Sequence, residues 1–518
     1  MPTHRSASAP AVATQERGVL TVLIGLAMLK VSLHLAVAVL TPYGLHRDEL
    51  LYLALGDHLA WGYREVPPLM PALGAAVEAL LGSSLVAVRL LPALAGGLVV
   101  LATGLLVRAF GGGRYAVLLA ALAVFAAPVF MRTHSLFQPV VFDQAVWVLA
   151  ALALVWRVAQ DEPRWWLGVG TVLGLGLLFK VSAAFFGLAI AVGVLLTPLR
   201  RDFATPWPWA GAGLAVLLAL PYLLWQVAHG WPFFEHMAQL SARQLVHVAR
   251  TDFLLEQILM MHPLTVPIWG TGLWFFFSRR GAPYRPLGWA FLVALGLFLA
   301  LRGKAYYLAP AYPMLFAGGA VVLAGWLRAR WARATAVILL LIGVLAFAPL
   351  GVPVLPPAPT AAYAVALGVE TAVKTETGEM ARLPQDFADM LGWEEQVAVV
   401  DSVFRALPAD AQPDAILLAS NYGQAAAIDF YGPAHTLPAA TSYASSYYAW
   451  GPGDRAGTMA VAVGVPARIL DQLYEDCAVA AVVQHPWVVE YETNLPIQVC
   501  QRLRQPLAES WPTLERYR

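Results

Sequence analysis

The residues best suited to chemistry lie in one stretch, His46-Arg47-Asp48-Glu49-Leu50-Leu51-Tyr52, followed by Trp61-Gly62-Tyr63-Arg64-Glu65-Val66-Pro67-Pro68-Leu69. Acids, bases, aromatics and a proline pair are concentrated here, in a chain of which only 13% is charged and 59% hydrophobic. A carboxylate fixed beside a nucleophilic hydroxyl can take its proton. The stretch comes directly after the first long apolar segment. It reads as the catalytic loop of a membrane enzyme, with the rest of the chain holding that loop beside a lipid-borne substrate.

A soluble chain usually carries about a quarter charged residues. The deficit here, with a mean hydropathy of +0.65 and with 18 Trp and 37 Pro among the 518 residues, points to a polytopic α-helical membrane protein. The net charge of +1 gives no sign of nucleic-acid binding or of a polybasic anchor. Two cysteines, Cys477 and Cys500, exclude a Cys-rich metal module. The segment before Gly18 is polar and no small-residue cleavage site follows the apolar run. An uncleaved first helix is expected rather than a signal peptide.

A membrane helix needs about 20 apolar residues. Apolar stretches at 18–40, 84–107, 115–131, 139–156, 165–179, 182–198, 208–228, 262–278, 287–301, 306–326 and 334–350 predict about eleven of them. Positive residues set the orientation. Every second turn is Arg-rich: Arg108 and Arg114, Arg157 and Arg164, Arg200 and Arg201, Arg279, Arg280 and Arg285, and Arg328, Arg330 and Arg333. These turns and the N-terminus are expected on the cytoplasmic side. The opposite face then receives 41–83, 132–138, the turn at Lys180, 229–261, 302–305 and everything after 351. Those segments mix acids, His, Arg and aromatics, which are costly at a membrane boundary unless solvated, paired or used. One cavity opening outward is the expectation.

Past Leu350 a Pro-rich linker leads into a domain of ordinary composition. Strands at 415–419, 459–463, 478–483 and 497–503, all read as buried, alternate with helices at 393–407, 424–431 and 467–475. This predicts a soluble α/β domain over 351–518 beside a multi-pass domain over 1–350. Outside the cytoplasm Cys477 and Cys500 can oxidise to a disulfide; two unpaired buried thiols are the alternative.

These residues together resemble a family. The Asp48-Glu49 pair follows the first helix, then come Gly62-Tyr63-x-x-x-Pro67-Pro68-Leu69, Val88-Arg89-Leu90-Leu91-Pro92, Phe142-Asp143, His229-Gly230-Trp231-Pro232, Lys304-Ala305-Tyr306-Tyr307 and Asn421-Tyr422-Gly423. Across nearly its whole length the chain is similar to bacterial integral-membrane glycosyltransferases of the C-type fold, in the protein O-mannosyltransferase and lipid A aminoarabinose-transferase group (glycosyltransferase family 39). The resemblance implies transfer of a sugar from a polyprenyl-phosphate donor to a lipid, glycan or protein hydroxyl. The transfer would occur at the outer face of the bacterial cytoplasmic membrane and invert the anomeric carbon.

It also assigns roles. Asp48 matches the catalytic base; capping of the short helix that follows is the alternative. Glu49, about 100° away around that helix, is expected as a neighbour of the base or as an ion-pair partner of Arg47. Asp143 matches a second acidic position, to bind hydroxyls, orient the base or cap a helix. Lys304, Tyr306 and Tyr307 match the lipid-phosphate motif, with Arg302 and Lys180 as further cations; snorkelling to headgroups is the alternative for those two. Glu65, Arg64, Tyr63 and His134 are substrate-binding candidates, although a salt bridge between Arg64 and Glu65 is the plainer reading. His134 would face the cavity or the headgroups. Val66 stands where the aminoarabinose transferases carry Lys. No cofactor is required by default, with a divalent metal on Glu65 and His262 as a weak alternative. A Gly-rich phosphate loop on a strand-to-helix turn is absent. The rival class is a transporter or flippase of lipid-linked sugars, disfavoured because the charges gather on one face.

Overall fold

The computed structural model describes residues 9–368 and 382–517. The chain divides into two compact units. One comprises Met1–Leu40, Arg89–Ala228 and Leu240–Val354; the other comprises Thr41–Val88, His229–Gln239 and Leu355–Arg518.

The first unit is all helical. Each expected apolar stretch forms helix, and among the described residues seven helices, or eight if a pair bent by 107° is one span, are long and apolar enough to cross a membrane. The others are shorter for visible reasons. The 115–131 stretch breaks at Ala127, which is driven to an extended conformation (ψ 116°) before Pro128, because a residue preceding proline is pushed out of the helical region. The 262–278 stretch begins its α-helix only at Val266, after Pro263. Ser182–Leu195 and Pro198–Ala204 form the bent pair. The tightest helix pairs meet at glycines. Gly170 lies against the Gly211 backbone, and Gly272 against Leu315, so closely that a Cβ would not fit. Small residues let membrane helices approach without a hydrophobic driving force between them.

The second unit is built on a five-stranded sheet of order β2-β1-β3-β5-β4. The strands are β1 (Ile416–Ala419), β2 (Ala440–Ser442), β3 (Met459–Val463), β4 (Tyr474–Val483) and β5 (Leu495–Leu503). β2, β1 and β3 run parallel, whereas β5 is antiparallel to both β3 and β4. Ile416-Leu417-Leu418-Ala419 is buried at every position, as expected of a parallel central strand covered on both faces. The expectation of a buried strand at 478–483 is corrected. β4 is an edge strand with Val479 and Val482 exposed, and an apolar run does not reveal whether a strand lies at the edge or the centre. Cys477 and Cys500 face each other in the β4–β5 register and are joined as a disulfide. Helices Arg47–Gly56 and Leu69–Leu81 belong to this unit, and the first packs on both the second and Tyr422–Tyr431.

Candidate active site

Asp48 is the second residue of helix Arg47–Gly56, whose N-cap is His46. His46 Nδ1 accepts a hydrogen bond from the Asp48 amide at 3.0 Å. Glu49 Oε2 accepts from the His46 amide at 2.8 Å. The two bonds form a capping box. The capping alternative for Asp48 is thereby removed, because an imidazole nitrogen two residues earlier takes that task. Glu49 is fully buried and its carboxylate accepts at the helix end.

Asp48 turns the other way. Its side chain is 29% exposed, and Tyr422 Oη donates to Oδ1 at 2.9 Å. Tyr422 is fixed by the start of its own helix. Asn421 Oδ1 accepts from the amides of Gly423 and Gln424 at 2.9 and 3.1 Å. The Asn421 and Gln424 side-chain amides both donate to Glu492, at 2.8 Å each. Burial raises the Glu492 carboxyl above its ordinary range, and these donors oppose the rise. Burial also holds the Tyr422 phenol well above its ordinary range, opposed by Arg47, so the hydroxyl remains a donor at neutral pH.

Arg47 completes the frame. Its guanidinium lies 4.6 Å from the Tyr422 ring centre, 3.7 Å from Asp389 and hydrogen-bonded to Tyr491. Burial pushes Asp389 up to about 6, against the pull of Arg47 and His46. The Arg47 amide bonds to the Asp389 carbonyl at 3.0 Å. The segment that begins the helix is therefore pinned by backbone as well as side chains.

A second polar group surrounds the proline pair. Ser446 donates to Glu65, and Arg64, itself buried, sits 3.5 Å from Glu235. The described contacts of the two residues run outward in place of the expected Arg64–Glu65 bridge. Burial lowers the neighbouring His236, and Glu65 opposes that. Tyr63 Oη donates to the carbonyls of Leu55 and His58 and accepts from the Ala60 amide. It ties the loop together through these bonds. Trp450 stacks on His58 at 3.9 Å, and Tyr447 donates to Asp429 at 2.6 Å. Among the described residues no three His, Cys, Asp or Glu side chains are arranged to hold a metal ion. Glu65 and His262 fall in different units.

The helical unit carries the residues expected to bind the donor phosphate. Asp143 is buried and accepts from Trp147 Nε1 at 3.0 Å. Lys180 faces Asp143, and its ammonium lies 4.9 and 5.3 Å from the ring centres of Tyr307 and Tyr306. Lys304 lies near enough to Lys180 to interact electrostatically. The structure thus gathers Asp143, Lys180, Lys304, Tyr306 and Tyr307. Lys180 points at rings and a carboxylate, so snorkelling does not describe it. Arg302 is exposed, in a left-handed backbone turn (φ 53°).

His134 is corrected: it is completely buried, with Nε2 3.0 Å from Gln144 and its ring stacked on Phe130. It faces neither cavity nor headgroups, because the short helix Pro128–Thr133 turns it inward after the break at Ala127. Beside it lies a polar group that the sequence reading passed over, Lys30 and His34 from the first span. Lys30 Nζ is 3.5 Å from the Phe130 carbonyl, and His34 Nδ1 is 2.9 Å from Ser135 Oγ. The signal was available, since i and i+4 share a helix face.

Known proteins share this architecture. Residues 65–225 match the family model described as dolichyl-phosphate-mannose-protein mannosyltransferase. ArnT from Cupriavidus metallidurans in the apo state superimposes with a TM-score of 0.57 at 18% identity, over 92% of this chain and 98% of ArnT. The chain has the C-type glycosyltransferase fold. The C-type likeness extends to ArnT bound to undecaprenyl phosphate, with a TM-score of 0.55 at 15% identity over 95% of this chain and 98% of that one. The oligosaccharyltransferase AglB from Archaeoglobus fulgidus, in complex with an inhibitory peptide and a dolichol-phosphate, gives a TM-score of 0.47 at 14% identity, over 82% of this chain and 64% of AglB. No curated protein matches the sequence. Within the C-type frame the residue least visible from sequence is Tyr422. The Asn-Tyr-Gly-Gln motif marked its place, but nothing in it named Asp48 as partner.

Proposed function

We propose that this protein moves a sugar from a polyprenyl-phosphate donor to an acceptor hydroxyl, with inversion and with Asp48 as general base. The acceptor oxygen attacks the anomeric carbon opposite the phosphate. A new C–O bond forms, the bond to the phosphate oxygen breaks, the hydroxyl proton passes to Asp48, and polyprenyl phosphate leaves with the electron pair. The leaving phosphate gains charge as the bond breaks, and fixed cations and hydroxyls are worth most at that point. Lys180, Lys304, Tyr306 and Tyr307 are assigned that work, with Asp143 holding Lys180. The reaction is assigned to the outer face of the cytoplasmic membrane, with the N-terminus cytoplasmic and the sheet domain outside.

The observation that carries this reading is the state of Asp48. It is a partly exposed carboxylate on a capped helix, held by a phenol, while the acid beside it is consumed by the cap. Kinship in fold with ArnT, which has been captured with undecaprenyl phosphate, supports the donor class. The test uses purified protein in lipid nanodiscs, given a panel of radiolabelled polyprenyl-phosphate sugars. Release of sugar by wild type, lost in Asp48→Asn, is expected. Equal release by both proteins would remove Asp48 as base, and binding without release would favour flipping, to be read in liposomes.

A further inference from the structure

The helical unit contains a cavity of about 920 Å³ lined by Gly111–Gly113, Arg114, Tyr115, Arg280 and Arg333 together with small apolar residues. It lies among the Arg-rich turns, away in sequence from every residue assigned to transfer. Among the described residues no acidic side chain lines it. Two arginines of these turns are already held by protein groups. Arg157 is held by both oxygens of Asp202, at 2.7 and 2.8 Å, and by Asp161 at 3.0 Å. Arg333 donates to the carbonyls of Leu327 and Ala324, and its guanidinium lies 4.9 Å from the Tyr115 ring centre. Arg114 and Arg280 differ: among the described residues neither has a carboxylate partner. Arg114 lies over Gly18, and Arg280 Nη2 lies 3.6 Å from where a Cβ on Gly111 would stand.

The cavity also receives the start of helix Arg114–Ala126, whose N-cap Gly113 has no side chain to bond the first amides. A Cβ on Gly113 would meet nothing within 4 Å. Uncapped first-turn amides and the positive end of a helix favour an anion. Arginines add charge and planar donors matched to phosphate. The apolar part of the lining, Val321, Ala324 and Gly325, suits the carbon chain of a lipid. We propose that this cavity is a binding site for a phosphate group, carried by an anionic phospholipid or free in solution, and separate from the donor site.

The test uses the full-length protein in detergent, with retained phosphatidylglycerol counted by native mass spectrometry and phosphatidylcholine as the control lipid. Wild type is expected to retain phosphatidylglycerol in preference to phosphatidylcholine. Affinity should fall about fivefold in Arg280→Gln and about thirtyfold in the Arg114→Gln/Arg280→Gln double variant, at roughly 1 kcal/mol per arginine. Gly113→Leu should block the site by volume with the charge unchanged, which keeps the test informative if the double variant fails to fold. Displacement by excess inorganic phosphate would assign the site to the free ion, and persistence against it to the lipid. Equal retention of phosphatidylglycerol by wild type, Arg280→Gln and Gly113→Leu would overturn the proposal.

Discussion

The group around Asp48 and the group around Lys180 solve opposite problems. In the sheet-bearing unit most of the charges meet a specific partner: Arg47 meets Asp389 and Tyr491, Glu492 two amides and Asp48 Tyr422, while Arg47 Nε and Asp389 Oδ1 are buried without a hydrogen bond among the described residues. Such a network fixes one geometry, and a carboxylate used as a base needs fixed geometry more than it needs field. In the helical unit the Lys180 ammonium faces a buried carboxylate and two phenol rings, with Lys304 close enough to Lys180 to interact electrostatically. A ring face attracts a cation without consuming its N–H donors, so these rings leave Lys180 donors for an anion. The first arrangement suits proton transfer, and the second suits holding a phosphate.

The strongest way to break this contrast is Asp48→Asn. The amide keeps the size and can still accept from Tyr422, but it cannot take a proton. Sugar transfer should fall by about 10²–10⁴-fold, the usual worth of a general base, with donor binding unchanged. A fall in donor affinity in place of turnover would place Asp48 with the phosphate group. Lys180→Ala and Lys304→Ala make the converse test. Each should weaken donor binding by about 2 kcal/mol, roughly thirtyfold, as removal of one partner of a desolvated charge pair does. Unchanged donor affinity in both would empty the helical group of its role. Tyr422→Phe comes next. Loss of one hydrogen bond to a charged group is worth about 1.5 kcal/mol, roughly tenfold in turnover, and donor affinity should stay at the wild-type value. A variant indistinguishable from wild type in steady-state kinetics would make the Tyr422 bond incidental.

Much of this was legible in the sequence. The helical unit followed from apolar run length, and the Asp48 loop stood out because acids are rare in such a chain. The sheet was legible too, apart from β2: three residues at its edge, Ala440-Thr441-Ser442, carry no periodic pattern. What stayed hidden were pairings across long separations. Tyr422 meets Asp48 across 374 positions, and Ser446 meets Glu65 across 381. Sequence spacing favoured Arg64–Glu65 because they are neighbours, while folding offered both residues other partners. His134 shows the same limit in another form. Its place near a span end suggested a boundary, and the break at Ala127-Pro128 turned it into the core.

The finest test of the contrast is the pH dependence of stability in the Asp48 network. Asp389 is buried, and its carboxyl is pushed up to about 6 from an ordinary 3.8. Between those values the folded protein binds more protons at this site than the unfolded chain does. The contribution of Asp389 to stability is therefore fully present below about pH 4 and declines as pH rises through about 6. Asn at this position cannot titrate. The stability of Asp389→Asn relative to wild type should therefore increase by on the order of 1 kcal/mol as pH rises from about 4 to about 6.5. Loss of the Arg47 partner would set a constant offset on which this slope is superimposed. Chemical denaturation of both proteins across that range reads the slope directly. A flat difference would mean that Arg47 and His46 fully offset the burial of Asp389. A difference of opposite sign would make the ionised pair the dominant effect. The network around Asp48 would then rest on net charge attraction, as the lysine group does, and the contrast between the two regions would narrow.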